Sequence, residues 1–133
     1  MRLKNKVAII TEASGGLGIN FCKAFLKESP KVGVNDISKE LVDKAVKELT
    51  PLGPVIGVLA DVCQRHAIDE MLSTVLRNFV HLDILVNNAG GSLNTPYKFE
   101  EIDENYWDKV MDVILKGSFL SWQAAITHRQ KQG

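Results

Sequence analysis

The stretch from residue 7 to residue 18 constrains the fold more than any other part of this sequence. Residues 7–10 form an apolar, β-branched run that is too short for a helix and predicts a strand buried on both faces. A glycine-rich turn follows, and an amphipathic helix is expected to begin near Gly16. This order brings backbone N–H groups and the positive end of a helix dipole to one point, which suits a phosphate. Glu12 is an unsuitable residue for such a turn.

Predicted strands and helices alternate along the rest of the chain. Short apolar runs that end at polar residues predict further strands over residues 31–35, 55–60 and 83–87. Apolar residues at helical spacing predict helices over residues 16–27, about 38–49, 64–80, 103–107 and about 112–129. Helices of about ten or more residues between strands favour a parallel sheet. We therefore expect an α/β, doubly wound single domain over residues 1–133.

Polar residues follow each predicted strand, where ligands bind in doubly wound sheets. They lie within residues 11–18, at Asp36, at Asp61 and within residues 87–90. Asp36 stands 18 residues after Gly18, close to the spacing of the acid that holds a ribose hydroxyl in dinucleotide folds. A helix-capping turn residue is the alternative for Asp36, and a plain strand-end aspartate is the alternative for Asp61.

Charge and composition exclude several classes of partner. The 16 basic and 16 acidic residues give no net charge, so no nucleic-acid partner is expected. The apolar runs are too short to span a membrane, and residues 1–6 form no leader, so we expect a cytoplasmic protein without a membrane partner. Cys22 and Cys63 suit a reducing compartment and are expected to be inert. The three histidines share no metal-ligand spacing, so no metal site is expected.

With four motifs in order, the chain resembles the classical short-chain dehydrogenases/reductases over almost its whole length. Their Thr-Gly-x-x-x-Gly-x-Gly corresponds to Thr11, Glu12, Gly16 and Gly18. Their Asp-Val corresponds to residues 61–62, their Asn-Asn-Ala-Gly to residues 87–90, and residues 107–117 resemble the segment leading to their Asn-x-x-Gly. The resemblance implies the cofactor-binding, N-terminal half of an NAD(P)-dependent oxidoreductase acting on an alcohol or carbonyl. Its Rossmann-like sheet would be truncated to about four strands.

The resemblance also implies roles for individual residues. Gly16, Leu17 and Gly18 would approach the pyrophosphate, while Thr11 and Ser14 would shape the turn. Asp36, in place of an arginine, favours NAD over NADP because a carboxylate would repel a 2′-phosphate. Adenine would meet Asp61 and Val62. The nicotinamide-side ribose would be lined by Asn88, Ala89 and Gly90, although the paired asparagines could equally hold loops to the sheet.

The chain departs from the family pattern at two positions that concern chemistry. Glu12 replaces the first glycine, so its side chain would crowd the backbone and its charge would oppose a pyrophosphate. We therefore expect weakened dinucleotide binding. Ile114 replaces the family's catalytic asparagine and cannot hydrogen-bond a water.

The family's catalytic serine and Tyr-x-x-x-Lys pair lie further along its chains than residue 133. The tyrosines present, Tyr97 and Tyr106, are followed four residues on by Glu101 and Val110. We thus expect no turnover by this chain alone, and no substrate can be assigned. A non-catalytic nucleotide- or partner-binding module and a degenerate fragment stay open as alternatives.

An apolar fourth strand at the sheet edge would invite pairing with another chain. The last predicted helix adds apolar residues, among them Trp122, that also need covering. The sequence therefore predicts a homo-oligomer built through this edge and the last helix.

Overall fold

A parallel sheet organises the computed structural model, which describes residues 1–132. Within that range its strands are β1 (Val7–Ile10), β2 (Lys31–Asp36), β3 (Val55–Leu59) and β4 (Ile84–Val86). Their spatial order is β3-β2-β1-β4, and every pairing is parallel. The register places Ala8 of β1 beside Val32 of β2 and Ile84 of β4. The predicted α/β, doubly wound Rossmann-like sheet of about four strands is confirmed.

Helices connect and follow these strands. They are α1 (Gly16–Lys27), α2 (Lys39–Leu49), α3 (Arg65–Phe79), α4 (Glu104–Met111) and α5 (Gly117–Gln132). The first three match their predicted bounds within one or two residues. The predicted break between residues 107 and 112 is wrong, because a π-helical segment, Asp112–Lys116, joins α4 directly to α5. Residues 104–116 contain neither glycine nor proline to end a helix there.

The core forms two layers because side chains alternate across β1. Val7 and Ile9 pack with residues of α3 and α5 on one face. Ile10 packs with residues of α1 and α2 on the other. Both isoleucines are fully buried, and each such side chain contributes about 1.5–3 kcal/mol. These two layers fix β1 at the centre of the sheet, so the loop after it has a defined position.

The carboxylate of Asp83 joins the start of β4 to the start of β1 through hydrogen bonds. The backbone N–H of Val7 donates to its Oδ2 at 2.8 Å, and Lys6 Nζ donates to Oδ1 at 3.2 Å. Partial burial opposes ionisation of Asp83, but these hydrogen bonds and the Lys6 charge hold its pKa below the usual 3.8. The contact sets how far β4 runs alongside β1, and hence where the loop after β4 begins.

The outer edge of β4 is uncovered by any strand in the described range. A groove of about 320 Å³ runs between β4 and α5, with Leu85 and Trp122 in its walls. None of the helices within residues 1–132 has both the length and the apolar character needed to cross a bilayer.

Candidate functional site

The crevice lies at the carboxyl ends of the strands, where the order reverses between β1 and β4. Chains in doubly wound sheets diverge to opposite faces at this point and leave a ligand-binding cleft. Two cavities of about 290 and 630 Å³ open there. Glu12, Asp36 and Ala89 line both cavities. The strand-end residues singled out from the sequence therefore do meet in space.

Asp36 ends β2 and is 8% exposed. Its Oδ1 accepts the N–H of Ile37 at 2.8 Å, and its Oδ2 accepts the N–H of Ser14 at 3.3 Å. The carboxylate thus joins the end of β2 to the glycine turn that precedes α1. The alternative of a helix-capping residue is wrong for Asp36, because Ser38 caps α2 while Asp36 ends β2 and lines both cavities.

Asp61 follows β3 in the same way. Its Oδ1 accepts the N–H of Cys63 at 2.9 Å, and the residue lines the smaller cavity together with Val62. Burial, followed by the nearby carboxylates of Asp61 and Asp112, raises the pKa of the Cys63 thiol to about 11. Cys63 is therefore a protonated thiol at neutral pH, in agreement with its expected inertness.

The loops after β1 and β4 are joined by a set of hydrogen bonds that we call the Thr11–Asn88 bridge. Thr11 Oγ1 accepts the N–H groups of Asn88 and Ala89 at 3.0 and 2.9 Å. Asn88 Nδ2 in turn donates hydrogen bonds to the carbonyl oxygens of Thr11 and Glu12, at 3.0 and 3.1 Å. Asn88 therefore holds the loops to the sheet, which was the alternative interpretation of the paired asparagines, and it also lines the larger cavity together with Ala89 and Gly90.

The N-terminus of α1 faces the larger cavity. Its N-cap is Gly15, which has no side chain to cap the helix, and the first turn of the helix holds no acidic residue. Gly15, Gly16 and Leu17 line the cavity, and Ser14 Oγ is buried without a partner in the described range. An anion would satisfy such a helix end. This part of the cradle therefore fits a phosphate.

Gly18 sets how closely α1 approaches the loop after β1. A Cβ there would lie 2.6 Å from Ala13 Cα and 2.9 Å from Asn88 Nδ2, and would overlap the carbonyl oxygen of Glu12. Gly16 has φ +54°, in the left-handed region that favours glycine. Both glycines are required by the backbone, whatever ligand binds.

Glu12 crosses the crevice. Its backbone is left-handed, with φ +49°, which costs a non-glycine residue about 1–2 kcal/mol. Its Oε2 accepts the N–H of Gly90 at 2.7 Å, so the carboxylate reaches from the loop after β1 to the loop after β4. The sequence predicted crowding at this position but not the contact with Gly90.

The charge of Glu12 opposes the attraction of the α1 terminus for an anion. A like charge about 4 Å away costs at most about 4 kcal/mol at an effective dielectric of about 20. A helix N-terminus contributes about 0.3–1 kcal/mol, and at most about 2. The larger cavity thus combines a phosphate cradle with a carboxylate that opposes phosphate.

Ile114 lies in the π-helical segment, is 44% exposed and lines the larger cavity beside Gly90. It presents an apolar surface to this cavity. Tyr97 and Tyr106 are absent from the residues that line either cavity in the described part of the chain. The arrangement therefore offers no hydroxyl from these tyrosines to a ligand.

Several residues of the smaller cavity were missed from the sequence: Asn35, Ile37, Ala60, Leu93, Lys109 and Val113. Asn35 is buried, and its Nδ2 donates to the carbonyl oxygens of Val58 and Ala60 at 3.1 and 3.0 Å. A polar residue inside an apolar strand was the available signal for it. Lys109 and Val113 are four residues apart on one continuous helix, which the predicted break obscured. Leu93 lies in a loop without periodicity.

The strand order β3-β2-β1-β4, with parallel strands and flanking helices, defines a Rossmann-like fold. The family model described as "short chain dehydrogenase" matches residues 6–133. The chain belongs to the short-chain dehydrogenase family.

Curated relatives agree with this assignment. FabG of Thermotoga maritima, a 3-oxoacyl-acyl-carrier-protein reductase, is 37% identical over 99% of this chain and 53% of its own length. The dehydrogenase subunit BbsD of Thauera aromatica is 36% identical over 96% of this chain and 51% of its own length. An NAD-dependent glycerol dehydrogenase of Listeria innocua is 31% identical over 91% of this chain and 46% of its own length. The chain spans about half the length of the curated relatives it matches.

Solved structures also match this chain over about half of their own length. A short-chain type dehydrogenase/reductase of Mycobacterium marinum superimposes with a TM-score of 0.91 at 25% identity, over 98% of this chain and 52% of its own. An NAD⁺-bound xylitol dehydrogenase superimposes with a TM-score of 0.92 over 99% of this chain and 51% of its own. Its 21% identity shows the shared fold alone.

The close packing of Gly18 against the loop after β1 can be tested by substitution. Gly18→Ala is expected to lower the free energy of unfolding by about 1–3 kcal/mol, because the added methyl group overpacks the Thr11–Asn88 bridge. Urea denaturation measures the loss. Gly15→Ala is the matched control, since its backbone is extended and no atom lies within 4 Å of a Cβ there. Equal unfolding free energies for both variants would contradict the packing described for Gly18.

Proposed function

We propose that residues 1–133 form the cofactor-binding half of an NAD-dependent oxidoreductase. The observation that carries this proposal is the Asp36 carboxylate, fixed by two backbone N–H groups at the end of β2 and facing both cavities. Membership of the short-chain dehydrogenase family supports a nicotinamide cofactor. An ionised carboxylate at this position accepts ribose hydroxyls and repels a 2′-phosphate, which favours NAD over NADP.

In this proposal, different residues of the crevice bind different parts of the cofactor. The smaller cavity holds the adenosine, with Asp36 at the ribose and Asp61 with Val62 at the base. The pyrophosphate takes the turn formed by Ser14, Gly16, Leu17 and Gly18, held in place by Thr11. The nicotinamide-side ribose lies against Asn88, Ala89 and Gly90. The bound cofactor would supply the hydride donor or acceptor, and Glu12 weakens its binding.

Cofactor preference tests the role of Asp36. NAD is expected to bind about tenfold more tightly than NADP by calorimetry, and Asp36→Asn is expected to remove most of that difference. The amide keeps one acceptor oxygen, for either the Ile37 or the Ser14 N–H, and loses the charge that repels a 2′-phosphate. Asp69→Asn, on the exposed face of α3, is the matched control. An unchanged preference in Asp36→Asn would contradict the assignment.

Hydride transfer is not expected from residues 1–133 by themselves. Ile114 cannot position a water, and neither tyrosine has a lysine four residues on to lower its pKa. Mixtures of the chain, NAD and a panel of primary and secondary alcohols should form no NADH above a heat-denatured control. NADH formation that rises in proportion to the concentration of purified chain would refute this expectation.

A non-catalytic nucleotide- or partner-binding module is the second candidate. The observation that favours it is that Glu12 and Ile114 both line the larger cavity and both depart from the family's chemistry. Cofactor binding without turnover is common to both candidates. They differ in whether a longer chain carrying these residues catalyses hydride transfer.

Self-association through the β4 edge and α5 is part of the proposal. Phe119, Trp122 and Ile126 recur at helical spacing and are each more than half exposed. Trp122 and Ile126 also line the groove beside β4, so an apolar helix face adjoins an unpaired sheet edge. Covering both at once would remove apolar surface and satisfy the edge.

Light scattering at micromolar concentration should therefore give at least the mass of a dimer. Trp122→Glu is expected to shift the chain towards the monomer, since it places a charge in the buried contact. Val80→Glu, at an 80%-exposed valine after α3, controls for added charge. A monomeric mass for the unsubstituted chain would rule out the interface.

A further inference from the structure

Glu12 borders both cavities and contacts the loop after β4 through Gly90, and this suggests a role in ligand selection. We propose that Glu12 is a specificity-determining residue that closes the phosphate end of the crevice, so that the site selects phosphate-free purine nucleosides over ADP and dinucleotides. This inference rests on the proposed function, because it concerns the same nucleotide site.

Hydrogen bonds hold both the backbone and the side chain of Glu12 in place. At the backbone, Asn88 Nδ2 donates to the carbonyl oxygen of Glu12 at 3.1 Å, as part of the Thr11–Asn88 bridge. At the side chain, Oε2 accepts the N–H of Gly90 at 2.7 Å. Glu12 lines both cavities, so it borders the space where either part of a ligand would lie. It also occupies the Gly90 N–H, which is then not free to donate to a ligand in the larger cavity.

The larger cavity opposes phosphate through its charges. Within residues 1–132, the charged side chains in its lining are Glu12 and Asp36, both acidic. The N-terminus of α1 attracts an anion, but its partial positive charge is smaller than a full elementary charge. A phosphate would therefore have to displace Glu12 from Gly90 and still face both carboxylates.

The smaller cavity has an apolar wall beside charged side chains of both signs, those of Glu12, Asp36, Asp61 and Lys109. Its walls include the apolar side chains of Ile37, Val62 and Val113, which can contact a flat ring. Asp36 and Asp61 supply acceptor oxygens at its edge. A purine nucleoside offers an apolar ring face together with amino and hydroxyl donors, which pair with carboxylate acceptors. Adenosine meets these requirements without placing a phosphate in the larger cavity.

Three ligands and three variants test the role of Glu12. Adenosine, ADP and NAD are titrated by calorimetry into the unsubstituted chain, Glu12→Gln and Glu12→Gly. Glu12→Gln keeps the length of the side chain and an acceptor for Gly90, while Glu12→Gly removes the side chain. Glu70→Gln, on the exposed face of α3, is the matched control for a lost carboxylate. Thermal unfolding of each protein verifies that the folded state is retained.

The unsubstituted chain should bind adenosine at least about tenfold more tightly than ADP or NAD. Both Glu12 variants should bind ADP and NAD about tenfold or more tightly than the unsubstituted chain, with adenosine affinity unchanged within about threefold. A gain in Glu12→Gly alone also supports the inference and assigns the closure to bulk rather than charge.

Two results would overturn the inference, and they differ in what they leave standing. If NAD binds the unsubstituted chain as tightly as it binds both Glu12 variants, Glu12 does not select, while the nucleotide site itself stands. If none of the three ligands binds any of the proteins, the proposed nucleotide function falls together with the inference.

Discussion

The Thr11–Asn88 bridge is the interaction on which the rest of the crevice depends. Thr11 is 1% exposed, so its hydroxyl is shielded from competing water while it accepts two backbone N–H groups of the loop after β4. Asn88 completes the bridge by donating to two carbonyl oxygens after β1. Each such hydrogen bond contributes about 0.5–1.5 kcal/mol net, and more when its loss leaves a buried group unpaired. Together with the Glu12–Gly90 contact, the bridge fixes the separation of the loops after β1 and β4.

The fixed loops give the crevice its unusual charge pattern. A glycine turn and the uncapped start of α1 form an anion site, while Glu12 crosses the same space to reach Gly90. Asp36 and Asp61 add acceptors at the adjoining strand ends. Within the described residues, the charged side chains that line the larger cavity beside the start of α1 are therefore both acidic, Glu12 and Asp36. Ile114 adds an apolar side chain to this cavity next to Gly90.

Much of the fold followed from the sequence because the signals are local. Short β-branched runs and helical periodicity located β1 to β4 and α1 to α3 within a residue or two. The error fell at residues 107–112, where a π-helical segment joins two helices and no chain-breaking residue marks a boundary. Asp36 was identified by its spacing, whereas Lys109 was missed because its position in the cavity depends on how that continuous helix packs.

The sequence by itself determined the alternation of strands and helices, the glycine turn at residues 15–18 and the polar residues after each strand. These features arise from backbone geometry and side-chain periodicity, which act over a few residues. Only the tertiary structure decided that Glu12 would meet Gly90, 78 residues away. That contact requires β4 to lie beside β1 in parallel register, and strand order is set by the packing of the two core layers rather than by any local pattern.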